Sequence, residues 1–157
     1  MNESERLAKE LEKALNGGAW HGPSWRELLE GVTREEALER PVAGAHNIAE
    51  IVLHATTWQD VVRRRLQGDS PEVSDVEDWP RPALEGESAW QATVERLFVT
   101  ARSLRETLAR FPVERMQERR PGMDQTWYAM LIGELQHMLY HAGQVSLLKK
   151  AAVAAPK

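Results

Sequence analysis

Four stretches of this chain repeat apolar residues every three or four positions, and no stretch of any length alternates apolar with polar residues. A helix turns once in about 3.6 residues, so such spacing gathers apolar side chains on one face, which must then be buried against another element. The first stretch, residues 3–16, aligns Leu7, Leu11, Ala14 and Leu15 and ends at "NGG". The second, residues 46–67, aligns Ile48, Ile51, Val52, Ala55, Trp58, Val62 and Leu66 and stops at Gly68. The third, residues 87–111, carries Trp90, Val94, Leu97, Phe98, Ala101, Leu104, Leu108 and Phe111, and Pro112 closes it. The fourth, residues 127–150, carries Leu131, Leu135, Met138, Ala142, Val145 and Leu148. The expectation is an all-α chain built as a four-helix bundle.

The connections refine it. "SWRE" and "TREE" are capping-box patterns, in which a hydroxyl and a glutamate three residues on satisfy each other's backbone donors, and they predict short helices after Ser24 and Thr33. The linker "GDSPEVSDVEDWPRPALEGE" is far longer than a tight helical hairpin needs, long enough to run the length of a bundle and return the next helix parallel to the last. Residues 1–150 read as a single domain and residues 151–157, "AAVAAPK", as a frayed tail.

Composition excludes several functions. The chain has no cysteine, which removes disulfides, thiolate metal sites and a cysteine nucleophile together. Any metal must sit on histidine, carboxylate or water, which suits zinc, nickel, manganese or iron better than copper(I). A formal net charge of −4 gives no electrostatic reason to expect nucleic acid, and Arg63, Arg64 and Arg65 fan around their helix instead of forming a stripe. No apolar run reaches the roughly 20 residues of a membrane span. The charged amino terminus has no apolar signal-peptide core, so a cytoplasmic location is expected.

The histidines hold the chemistry. His21 precedes Gly22-Pro23 in a loop and reads as a surface residue; His46 stands at the start of the second stretch and can contact the helix end. His54 lies in mid-helix among Ile51, Val52 and Ala55, where an imidazole must be hydrogen-bonded or bound to something. In "HMLYHAGQ", His137 and His141 stand four apart on one helical face, in a stripe with Glu134 and Gln144. Spacing alone leaves two readings open: hydrogen-bonded core histidines, or a mononuclear site of His54, His137 and His141. A di-iron site would need a second Glu-x-x-His beside "ELQH", and none is present; neither is a His-Glu-x-x-His, a Gly-x-Ser-x-Gly or a glycine-rich phosphate loop.

The stretches "AHNIAEIVLHATTWQDVVRRRLQG", the linker's "DWPRP" and "LIGELQHMLYHAGQVSLLKK" resemble the DinB-like (DinB/YfiT) superfamily over about residues 40–150, most specifically in the closing His-x-x-x-His-x-Gly-Gln. The resemblance implies an up-down-down-up bundle. It also implies a divalent metal held by one histidine of the second helix and two of the fourth, which are His54, His137 and His141 here, with water filling the remaining coordination. Zinc or nickel is the first expectation, manganese or iron the next.

Three neutral imidazoles leave a cation its full charge, which lowers the pKa of a bound water or thiol. One chemistry that follows is hydrolysis, with Glu50 or Glu134 as general base. Another is presentation of a low-molecular-weight thiol as the nucleophile toward a small-molecule substrate; the resemblance implies this too, since its members include thiol S-transferases and a mycothiol-dependent isomerase. That isomerase's branch has an acidic metal ligand, which this sequence does not obviously share. The competing class is a non-catalytic, metal-stabilised stress or interaction protein. Glu50, Glu134 and Gln144 stand three or four residues from a candidate ligand, placed to orient imidazoles or handle a proton. Of the six tryptophans, most read as core and helix-end packing, with Trp58 a candidate pocket wall beside His54. A homodimer is expected from the resemblance and from an excess of large apolar side chains over what one small bundle needs.

Overall fold

The computed structural model describes residues 1–154. The chain is all-α: among the described residues there are seven α-helices and no strand, only an isolated bridge between Arg119 and Thr126. The long helices are α1 (Glu3–Asn16), α4 (Ile48–Leu66), α6 (Glu87–Ala109) and α7 (Trp127–Ala154). The short ones are α2 (Trp25–Leu29), α3 (Arg34–Leu38) and α5 (Asp75–Asp78), and a 3-10 turn spans Val113–Arg115. No helix of the described residues is long and apolar enough to cross a membrane.

Capping chemistry fixes the starts. Ser24 and Thr33 form the expected boxes with Glu27 and Glu36, opening α2 and α3. Three more boxes open α1 (Asn2 with Glu5), α4 (Asn47 with Glu50) and α5 (Ser74 with Glu77). The second long helix therefore begins after Asn47 and not at His46, because the Asn47 side chain accepts from the Glu50 backbone N–H. The third ends at Ala109, two residues short of Phe111. The last runs to Ala154, so the first four residues of the expected frayed tail are helical; residues 155–157 lie outside the described residues.

Each of α1 and α4 packs against both α6 and α7, so the four long helices enclose one core. The Ser4 hydroxyl donates to the Phe111 carbonyl (2.6 Å) and Arg105 pairs with Glu12 (3.1 Å), which sets α1 antiparallel to α6. Two fully buried tryptophans tie the short helices on without leaving a polar atom stranded. Trp25 Nε1 donates to the Met138 carbonyl (3.0 Å) and Trp90 Nε1 to the Val32 carbonyl (2.7 Å). The first tie matters for the site, since Met138 lies next to His137 in α7. Trp20 departs from the expected tryptophan packing: it is fully exposed in the loop before α2.

Candidate metal centre

The site forms where α4 faces α7. The polar positions of α7 recur at helical spacing, so Glu134, His137 and His141 meet His54 of α4 inside an otherwise apolar interface. His54 and His141 are buried, at 5% and 4% exposure, and their Nε2 atoms lie 2.8 and 2.9 Å from His137 Nε2. One nitrogen from each ring falls within 4.8 Å of the others.

The outer nitrogens fix which atoms face inward. His54 Nδ1 lies 2.7 Å from the Asp78 carbonyl oxygen and 3.1 Å from Asp78 Oδ1, both pure acceptors, so Nδ1 carries the proton and Nε2 presents a lone pair. His141 Nδ1 sits 2.6 Å from Gln144 Oε1, with the same consequence. His137 Nε2 can donate to one of these lone pairs and not to both, which leaves one short nitrogen–nitrogen contact without a proton. Added protons are a poor remedy. Burial and the charge of His137 lower the pKa of His54, and the same causes bring His141 down to about 4. A cation between the three lone pairs resolves the conflict: nitrogens bonded to one ion at about 2.0–2.1 Å stand roughly 3 Å apart. The residues present therefore fit a divalent metal.

Around this trio stands a supporting set. Glu134 is buried at 6% exposure, its Oε2 3.7 Å from His137 Nδ1; burial raises its pKa, and its Oε1 and His137 Nδ1 lack hydrogen-bond partners. Glu50 is placed differently. Its carboxylate accepts from the Asn47 backbone N–H (3.0 Å), approaches His46 Nδ1 at 3.1 Å and pairs with Arg40. Burial pushes its pKa up, but these hydrogen bonds outweigh that and hold it below the usual carboxylate range. The structure thus brings Glu134 and Gln144 to the imidazoles and keeps Glu50 at the start of α4. His46 does contact that helix end, and His21 is exposed.

The linker supplies two residues that helical periodicity could not reveal. Trp79 lies parallel between two imidazoles, 3.6 Å from His46 and 3.9 Å from His54, at interplanar angles of 4° and 6°. Asp78 holds His54 as described, and its Oδ1 also accepts from Trp58 Nε1 at 2.6 Å. The "SDVE" box that opens α5, the same pattern as "SWRE" and "TREE", was the available signal that this linker is ordered where it meets α4.

On one side His54 and His137 open into a cavity of about 380 Å³, lined also by Glu134, Trp58, Asp78 and Arg65 among others. Trp58 is thus the pocket wall expected for it. The volume admits a small molecule and gives it a path to the imidazoles.

No curated protein and no solved structure matches the chain. The family model described as the DinB superfamily matches residues 20–145, a span that contains α4, the part of α7 that carries His137 and His141, and the linker that supports them. The chain belongs to the DinB superfamily.

Proposed function

We propose that this protein binds one divalent cation through His54, His137 and His141, zinc or nickel first and manganese or iron after them, and uses it in a thiol transfer reaction. The convergence of three Nε2 atoms, two of them fixed as lone-pair donors, is the observation that carries the metal. When bound, the ion supplies a full double charge that favours the thiolate of a low-molecular-weight thiol.

The chain's own residues do the rest. Asp78, Trp79 and Gln144 hold two imidazoles in place. Glu134 lines the cavity with a free carboxylate oxygen and a raised pKa, which suits it to accept the thiol proton. The thiolate sulfur then forms a bond to an electrophilic carbon of the substrate while that carbon's bond to its leaving group breaks. An external thiol suits a chain with no cysteine of its own, and a cytoplasmic location belongs to the same reading, since such thiols are kept reduced there. Hydrolysis is the second reading, with Glu134 and not Glu50 as base, since Glu50 is already engaged by Asn47, His46 and Arg40.

Two features of assembly belong to the same proposal. The antiparallel set of α1 against α6, together with residues 62 and 65 of α4 sharing a cavity with 130 and 133 of α7 while His54 meets His141, supports the up-down-down-up order. A homodimer is the second. Tyr140 and Leu147, two turns apart on the exposed side of α7, offer apolar surface for it.

The test is conjugate formation. Metal-loaded protein should form or consume a thioether of a small thiol with an electrophile, and His54→Ala should not. Metal-loaded protein inert toward thiol conjugates, with activity on hydrolysable esters or amides lost in Glu134→Gln, would replace transfer with hydrolysis. Inertness in both assays, with stability still tied to the metal, would leave the non-catalytic stress or interaction protein.

A further inference from the structure

Arg65, in the last turn of α4, lines the cavity beside the histidines and also a second one, of about 300 Å³, lined by Arg120, Arg115, Asp69, Glu72 and Trp127. Among the described residues its guanidinium makes no ion pair and no side-chain hydrogen bond; it rests 5.6 Å over the Trp58 ring. Arg120 is 8% exposed and equally without a carboxylate partner, its Nη1 donating to Gln125 Oε1 at 2.8 Å. Gln125 itself lines the histidine-side cavity, so the two spaces are neighbours, with Arg65 in the wall of both and Gln125 linking Arg120 to the first.

Among the described residues no carboxylate pairs with these arginines: Glu134, in the same cavity as Arg65, faces His137 instead. Asp69 is taken by Arg64 (2.7 Å), and Arg115 by Glu118 (3.1 Å). Asp78 accepts from Trp58 and supports His54. Glu72 is exposed, where water screens it. Burial lowers the pKa of both Arg65 and Arg120, and the charge of Arg65 lowers that of Arg120 further, so the two cations stand close and partly dehydrated. Stacking on Trp58 explains where Arg65 lies, but it satisfies none of the guanidinium's N–H donors. Two such forks at the edge of a cavity are the donor set that a planar oxyanion takes up.

We propose that Arg65 and Arg120 form a carboxylate-binding subsite, so that the small molecule used at the three-histidine centre carries a carboxylate on the end remote from its reacting atom. This rests on the metal reading for its reacting end only; the subsite itself needs no ion. The carboxylate belongs to the thiol or to its electrophilic partner, and the probes below separate the two.

The probes are ω-mercaptocarboxylates of three to six carbons, the ω-mercaptoalcohols of equal length, and the plain alkyl carboxylates. Cobalt(II)-loaded protein reports thiol binding through the thiolate-to-metal absorption band, and tryptophan fluorescence, with Trp58 beside Arg65, reports plain carboxylates with and without metal. At one chain length the mercaptocarboxylate should bind about tenfold or more tightly than the alcohol, the range of a charge-assisted hydrogen bond. That preference should vanish in Arg65→Gln and partly return in Arg65→Lys. If instead the plain carboxylate binds while a mercaptoalcohol occupies the cobalt, again only with Arg65 present, the group belongs to the electrophile and the subsite stands. Equal binding of acid and alcohol with no plain-carboxylate signal overturns the proposal, as does a preference that survives Arg65→Gln. Should the protein take up no cobalt, the metal reading fails, and the plain-carboxylate titration of metal-free protein decides the subsite alone.

Discussion

His141 carries its Nδ1 proton to Gln144 and turns Nε2 toward His137 and His54, and burial brings its pKa down to about 4. An unfolded imidazole titrates near 6.5, so between those values the unfolded chain takes up a proton that the folded one refuses. The sign is definite: stability of the metal-free protein falls as pH drops from about 6.5 toward about 4, by up to about 3 kcal/mol from His141 alone. Urea titrations at several pH values check it, with His141→Asn flattening that slope; a slope of equal size in the variant would contradict it. The second prediction at this scale concerns the imidazoles' supports. Gln144→Ala and Trp79→Leu should each weaken metal binding by roughly 10–100-fold while leaving the fold intact, because they free a ring without removing a ligand. A competitive chelator titration reads this, and unchanged affinity in both variants would show that the hydrogen bond and the stack do not hold the rings. His137, His141 and Gln144 were legible in the sequence because helical spacing puts them on one face of one helix, while His54, on another helix, joined them as a ligand only through the family resemblance. Glu50 was equally legible as a neighbour of His54, yet "NIAE" is itself a capping box, and that commits its carboxylate to the start of α4.

At the scale of elements, the linker between α4 and α6 is the part the periodicity did not resolve. Its contacts with His54 span 24 residues and come from a backbone carbonyl and a stacked ring, features that no repeat encodes. The order in it is local in origin: the Ser74 hydroxyl donates to the Glu77 carboxylate at 2.6 Å and accepts from the Glu77 backbone N–H, which starts α5 and delivers Asp78 at its end. Ser74→Ala should therefore cost about 1 kcal/mol of local stability and lower metal affinity, with global unfolding little changed. Hydrogen exchange over residues 74–79 beside a metal titration tests this. Protection unaltered there, with metal affinity lowered, would separate the cap from the site. The long helices were legible throughout, since each buries one apolar face. Their ends moved by two to four residues where a cap, or the continuing helix of α7, overrode the apolar pattern.

For the whole molecule, α4 and α7 come from distant parts of the chain, and an ion bonded to both would bridge them. Metal that binds only the folded state stabilises it by mass action, about 2.7 kcal/mol at 100 times the dissociation constant. Chelator should lower the melting temperature of wild-type protein and leave His54→Ala unmoved. Sedimentation should give a dimer at micromolar concentration, and Tyr140→Lys together with Leu147→Lys should give a monomer; wild-type protein that is monomeric under those conditions would remove the dimer. The central claim is that His54, His137 and His141 share one ion. Its most direct measurement is the metal content of protein purified without a histidine tag and without chelator, then incubated with zinc or nickel and freed of excess. About one equivalent per chain in the wild type, and none retained by His54→Ala or His141→Ala at the same pH, is the result expected. Wild-type protein that retains no ion, or histidine variants that retain as much as the wild type, would contradict it.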